Sequence, residues 1–198
     1  MKYISYLVFF MFIALLFYFL KNALEPSKEP LFITGTDKCA ECHGLKNQGD
    51  QFTPWKNSKH SGAYTVLFSS KAREFNSANG LKSPENEEKC LSCHTTKGFL
   101  SGVAAGEYFK TDEGVGCEAC HGAGSHYSPA EIMKVESAFL RNGGIKGDSA
   151  TCLKCHNPKG NKEKALKDNI CPFQLNDFDY KTEFEKIKHP LNKNNNNQ

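Results

Sequence analysis

Four copies of one five-residue pattern constrain this chain more than anything else in it. They are Cys39-Ala40-Glu41-Cys42-His43, Cys90-Leu91-Ser92-Cys93-His94, Cys117-Glu118-Ala119-Cys120-His121 and Cys152-Leu153-Lys154-Cys155-His156. Eight of the nine cysteines are used this way. Disulfides suit an exported protein but give no reason for a histidine after every pair. Zinc ribbons use paired cysteines and leave the adjacent histidine unexplained too. Covalent attachment of haem c requires the whole pattern. Two thiols form thioethers with the porphyrin edge, and the next residue supplies a proximal imidazole to the iron. The expected cofactors are therefore four haem c groups. Cys39, Cys42, Cys90, Cys93, Cys117, Cys120, Cys152 and Cys155 are the attachment points, and His43, His94, His121 and His156 the proximal ligands.

Composition agrees. Beyond residue 20, about a third of the residues are hydrophobic, cysteines included, which is low for an ordinary core. Ten phenylalanines and the one tryptophan in that part argue against disorder. Four porphyrins would supply the missing apolar interior. About 45 residues per haem leaves little protein between rings, so neighbouring haems should lie near contact and form a wire. The expected fold is mainly α with long loops and little or no sheet, packed around four covalent haems. The motif histidines are 51, 27 and 35 residues apart, so no regular repeat is present. A net charge of +3 argues against nucleic acid as a partner. Serine-nucleophile, phosphate-loop and dinucleotide motifs are absent from the sequence.

The first twenty residues are a different material. From Tyr3 to Leu20, 17 of 18 residues are hydrophobic, enough for about 27 Å of helix. The best cleavage site would put Lys21 where a small residue is needed. Residues 1–20 therefore read as an uncleaved signal-anchor, a transmembrane helix that leaves the rest on the periplasmic side; a cleaved signal would leave a soluble periplasmic protein. Residues 21–36 read as a tether, 37–190 as the haem domain and 191–198 as a disordered tail.

Counting ligands limits the chemistry. Four bis-histidine haems need eight histidines, and the chain has seven. His60, His126 and His189 lie outside the motifs and are the candidate distal ligands. Met133 could substitute, but Ile132, Val135, Phe139 and Leu140 place it in an amphipathic helix over 129–141, where core packing is favoured. One iron is then open, or is bound by Met133, by Cys171 or by a group from another subunit.

Several stretches resemble the tetrahaem cytochrome c-554 family, whose members partner hydroxylamine oxidoreductase in ammonia oxidisers. Lys38-Cys39-Ala40-Glu41-Cys42-His43 is followed by Trp55-Lys56-Asn57-Ser58-Lys59-His60, similar to the family's first haem site and its W-K-x-x-x-H segment. Gly114-Val115-Gly116-Cys117-Glu118-Ala119-Cys120-His121-Gly122-Ala123-Gly124 resembles its G-V-G-C-E-x-C-H-G-P-G stretch, with Ala123 in place of proline. A fourth motif, Pro172-Phe173 and a late charged helix ending in His189 follow in the same order. The likeness covers roughly residues 37–190. It implies His189 opposite His43, His60 opposite His121 and His126 opposite His156, leaving the haem of His94 five-coordinate. It also implies that Cys171-Pro172-Phe173 covers that haem's distal face, where the cysteine departs from the family pattern.

The expected role is electron transfer rather than catalysis, a relay between membrane quinol and a multihaem oxidoreductase of hydroxylamine oxidoreductase type. Two alternatives stay open. An open haem at His94 could reduce nitric oxide, with Lys89, Lys97, Thr95 and Thr96 flanking that motif. The chain could also be a subunit of a haem filament, although identical chains cannot donate an eighth histidine.

Overall fold

The computed structural model describes residues 2–24, 29–156 and 178–190. Cys171, Pro172 and Phe173 lie outside the described residues. Helix α1 (Lys2–Leu24) is followed by a two-residue strand β1 (Phe32–Ile33), then α2 (Thr36–His43), α3 (Phe52–Lys56), α4 (Ser70–Ala78), α5 (Glu88–His94) and α6 (Thr96–Phe99). Strand β2 (Ala104–Ala105), α7 (Cys117–His121), α8 (Ala130–Met133), α9 (Glu136–Arg141), α10 (Ser149–Leu153) and α11 (Tyr180–Ile187) complete the described order. The fold is mainly helical, with a single parallel pairing of Phe32 with Ala104 and Ile33 with Ala105 among the described residues.

Apart from α1, the helices are short, nine residues at most, and several are stopped by their own sequence. Ser69 caps α4 by accepting from the Ala72 amide, Thr95 caps α6 through Gly98, and Asp148 caps α10 through Thr151. The amphipathic helix expected over 129–141 is two helices instead. Val135 is extended at φ −115°, ψ 104° and divides α8 from α9. Met133 and Phe139 pack there against Tyr127, Ile132 and Ala138, a small apolar cluster.

The interior is polar as much as apolar. Thr34, Thr36, Asn76, Thr95, Thr96, Glu118 and Asn142 are buried alongside Ile33, Leu67, Ala119 and Ala138. A chain whose side chains left this little apolar core would be marginal on its own, as expected where porphyrins complete the interior.

The segment expected as a tether does not reach residue 36. From Phe32 onward it is built into the body: Ile33 is 0% exposed, and the Phe32 amide donates to Ser125 Oγ at 3.0 Å. Gly35 takes φ +100°, and a Cβ there would sit 2.6 Å from the Tyr108 carbonyl oxygen, so only glycine fits. The described side chains of α1, residues 6–20, are almost all exposed apolar groups. They cover about 22 Å, short of the roughly 30 Å of a bilayer interior. Among the described residues no helix is long and apolar enough to cross a membrane.

Candidate functional site

Each motif forms or ends a short helix, which places its two cysteines one turn apart and turns the histidine back over them. The histidine rings are then fixed by their Nδ1 atoms. His43 Nδ1 meets Gln51 Oε1 at 3.0 Å, His94 Nδ1 meets the Ala63 carbonyl at 2.6 Å, and His121 Nδ1 meets the Ile145 carbonyl at 2.9 Å. An oxygen on Nδ1 fixes the tautomer with its proton there and leaves Nε2 unprotonated, the form that binds iron.

Two pairs of rings face one another. His60 and His156 have centroids 6.0 Å apart, and His121 and His189 are 5.9 Å apart. Two imidazoles on opposite sides of one metal, each bound at about 2 Å, would have centroids roughly 6 Å apart. His156 is also stacked on Phe178 at 4.8 Å. Burial lowers the pKa of His60, His156 and His189, which favours their neutral, ligating form. His189 Nδ1 is buried without a hydrogen-bond partner, an imidazole that the protein alone leaves incomplete. Among the described residues no three His, Cys, Asp or Glu side chains are grouped so as to hold a metal ion.

The cysteines of different motifs also meet. The Cys39 and Cys117 thiols hydrogen-bond, which pushes Cys39 up and pulls Cys117 down. Cys155 donates to Cys93, pulling Cys93 down to about 6 and pushing Cys155 up. Burial pushes Cys120 up to about 11, with neighbouring Cys152 adding to it. The first motif thus touches the third, the third the fourth, and the fourth the second.

Residues 38–122, which take in the first three motifs, match the family model described as cytochrome c554 and c-prime. Cytochrome c-554 of Nitrosomonas europaea is 28% identical over 159 residues, covering 70% of this chain and 64% of that protein. The solved reduced state of cytochrome c554 from the same organism superposes with a TM-score of 0.57 at 22% identity, covering 82% of this chain and 86% of that one. Over residues 38–122 the chain is thus similar to the cytochrome c554 and c-prime family, and it shares the fold of the solved cytochrome c554. Its four motifs carry four c-type haems, as the family's do.

The ring contacts differ from the pairing that the resemblance implies. The His189 ring lies 5.9 Å from that of His121, with His43 also near enough to act on its charge, and the His60 ring lies 6.0 Å from that of His156. Gln51 Nε2 donates to the Pro190 carbonyl at 3.0 Å while Gln51 Oε1 holds His43, so the C-terminal segment lies against the first motif while the His189 ring also meets the third. His126 is held elsewhere, with Nε2 2.7 Å from the Glu29 carbonyl.

Other residues that organise the sites went unassigned in the sequence. Glu118, 1% exposed, accepts from the amides of Thr34 and Gly35, each at 2.7 Å, and from Gly124 at 2.5 Å. Thr96 Oγ1 accepts from the Gly116 amide at 2.7 Å, tying the second motif to the third. Trp55 Nε1 donates to the Val115 carbonyl at 2.8 Å, and the Val115 amide to the His60 carbonyl at 3.0 Å, which positions His60. A glutamate between two motif cysteines was visible in the sequence, but its partners lie 84 and 83 residues away.

A cavity of about 200 Å³ borders His94 and Cys90, walled by Val66, Phe75, Asn76 and Pro84. Of the groups expected to flank this site, Lys97 Nζ donates to the Val103 carbonyl at 2.5 Å. Thr95 and Thr96 are buried in capping and inter-motif bonds.

Proposed function

We propose that this cytochrome is an electron carrier on the periplasmic side of the cytoplasmic membrane, held there by α1. The reading rests above all on the two facing imidazole pairs. His121 with His189 and His60 with His156 would each bind one iron from both sides. His43 and His126 are then left for the first haem, with Nδ1 of His126 as the nitrogen not occupied by Glu29. His94 stands alone on the second. Bound haems supply one-electron redox chemistry, at low potential where both axial ligands are histidine. The chain's own part is to fix His43, His94 and His121 through a carbonyl or amide oxygen and to bring the motifs together, first to third, third to fourth and fourth to second. Such an order suits relay from end to end.

The exposed apolar side chains of α1 at residues 6–20 support attachment to a membrane surface. A membrane quinol on one side and a multihaem oxidoreductase of hydroxylamine oxidoreductase type on the other are the partners that fit a low-potential relay. Electron paramagnetic resonance of the purified protein tests the ligand scheme. One high-spin and three low-spin ferric haems are expected, and His60→Ala or His189→Ala should each turn one further haem high-spin. Four low-spin haems in the wild-type monomer, or no change in either variant, would overturn it.

The cavity beside His94 favours a second reading, in which that haem also reduces a small ligand such as nitric oxide. Rapid nitric oxide consumption by the reduced protein, abolished by a tight ligand at that one haem, is the expected sign. Its absence leaves the carrier role alone.

A further inference from the structure

The oxygens that hold the motif imidazoles are not of one kind. His94 and His121 rest on main-chain carbonyls, of Ala63 and Ile145. His43 rests on a side chain, with Nδ1 3.0 Å from Gln51 Oε1. A side-chain amide has a second end. Gln51 Nε2 donates to the Gln48 carbonyl at 2.9 Å and to the Pro190 carbonyl at 3.0 Å, the latter 139 residues away. Pro190 directly follows His189, whose ring lies 5.9 Å from that of His121.

These partners admit only a carboxamide. With iron on Nε2, His43 Nδ1 carries a proton and needs an acceptor, whereas the two carbonyls need donors. Turned end for end, the amide would set its NH2 against that N–H and its oxygen against two oxygens. A carboxylate would satisfy His43 and repel the carbonyls; a hydrocarbon would satisfy neither. The backbone is bent to deliver this one side chain. Gly49 takes φ +103°, and a Cβ there would sit 2.5 Å from Gln51 Nε2 and 3.3 Å from the Pro190 carbonyl oxygen. Asp50 takes φ +48°, a left-handed value uncommon outside glycine.

We infer that Gln51 is a positioning residue that couples the potential of the first haem to the seating of the C-terminal segment bearing His189. The inference rests on the proposed ligand role of His43 and adds a control on it. A better acceptor on Nδ1 makes the imidazole more basic and lowers the potential of its iron. While Pro190 is in place, Gln51 Oε1 is held on His43. When the segment shifts, Nε2 follows it and the acceptor turns away. The first haem thereby senses the position of the end of α11.

The test uses the full chain with four haems. Redox titration followed by electron paramagnetic resonance gives the potential of each low-spin haem, and hydrogen exchange reads the mobility of residues 180–189. Gln51→Glu and Gln51→Leu act oppositely at His43 and alike at Pro190. One low-spin potential should fall in Gln51→Glu and rise in Gln51→Leu, while exchange over 180–189 quickens several-fold in both. Gly49→Ala pushes on the Nε2 end alone. It should quicken the same exchange and also raise the same potential. Faster exchange in Gly49→Ala with that potential unmoved would mean two independent bonds and overturn the coupling. Potentials that shift in one direction in both Gln51 variants, or unchanged exchange, overturn it as well. Where one variant does not take up four haems, the other two decide. A His43→Met protein with every low-spin signal unaltered overturns the ligand role of His43, and the coupling with it.

Discussion

The third and second motifs are built from the same pattern and differ in what surrounds them. Around Cys117–His121 the protein is stitched to itself. Glu118 gathers three backbone amides, Gly116 donates to Thr96, and His121 has both a carbonyl on Nδ1 and a facing ring. Around Cys90–His94 the histidine has its carbonyl and then a cavity. Rigidity is concentrated where an iron would be held from both sides, and space is left where one side is open. A site that must only pass electrons gains from fixed geometry, whereas a site that admits a ligand needs room.

This contrast can be broken at its strong end first. Glu118→Ala leaves three buried amides without an acceptor and should cost about 3 kcal/mol or more. Urea denaturation of the four-haem protein would read the loss, while the high-spin haem signal stays as it was. Gly116→Ala comes next. A Cβ there would meet Thr36 Oγ1, and Glu113 Oε1 at 2.6 Å, an overpacking expected to cost about 1–3 kcal/mol by the same measurement.

At the second motif the effects should be smaller. Asn76, 2% exposed, donates to the Lys82 carbonyl at 2.7 Å and its carboxamide lies against the Cys90 sulfur. Asn76→Leu should cost about 1 kcal/mol and speed hydrogen exchange at Leu81, whose amide bonds to the Asn76 carbonyl. The smallest effect belongs to the cap of the fourth motif. Hydrogen bonds from the Thr151 backbone and side chain hold the Asp148 carboxyl below its usual value. Its contribution is therefore present above the unfolded value near 3.9 and lost as pH falls through the lower folded one. Asp148→Ala should raise amide exchange in α10 at neutral pH, and the difference from wild type should close below about pH 4.

The sequence carried the chemistry of this molecule better than its connections. Four motifs with a histidine in register disclosed the cofactor and a helical body with little sheet, because thioether formation and axial ligation demand adjacent residues. The proposed pairing of distal histidines is of a different kind. It depends on where Gln51 pins Pro190 and where Trp55 and Val115 hold the His60 backbone, contacts across 55 residues or more. No local period records them. The tether misread at Phe32–Thr36 has the same origin, since nothing near those residues announces that Glu118 will collect their amides. Met133 was legible because its neighbours in the chain are also its neighbours in space.

The Glu118 clasp also has a bearing on how the molecule is made. Synthesis delivers the N-terminus first, and the 84 residues between Thr34 and Glu118 take on the order of 4–17 s to translate. For that interval Cys39 and Cys42 exist without the third motif to lean on. The first thiol pair is accordingly available to the attachment machinery while its surroundings are still pliable, and the door behind it shuts only when the third pair arrives.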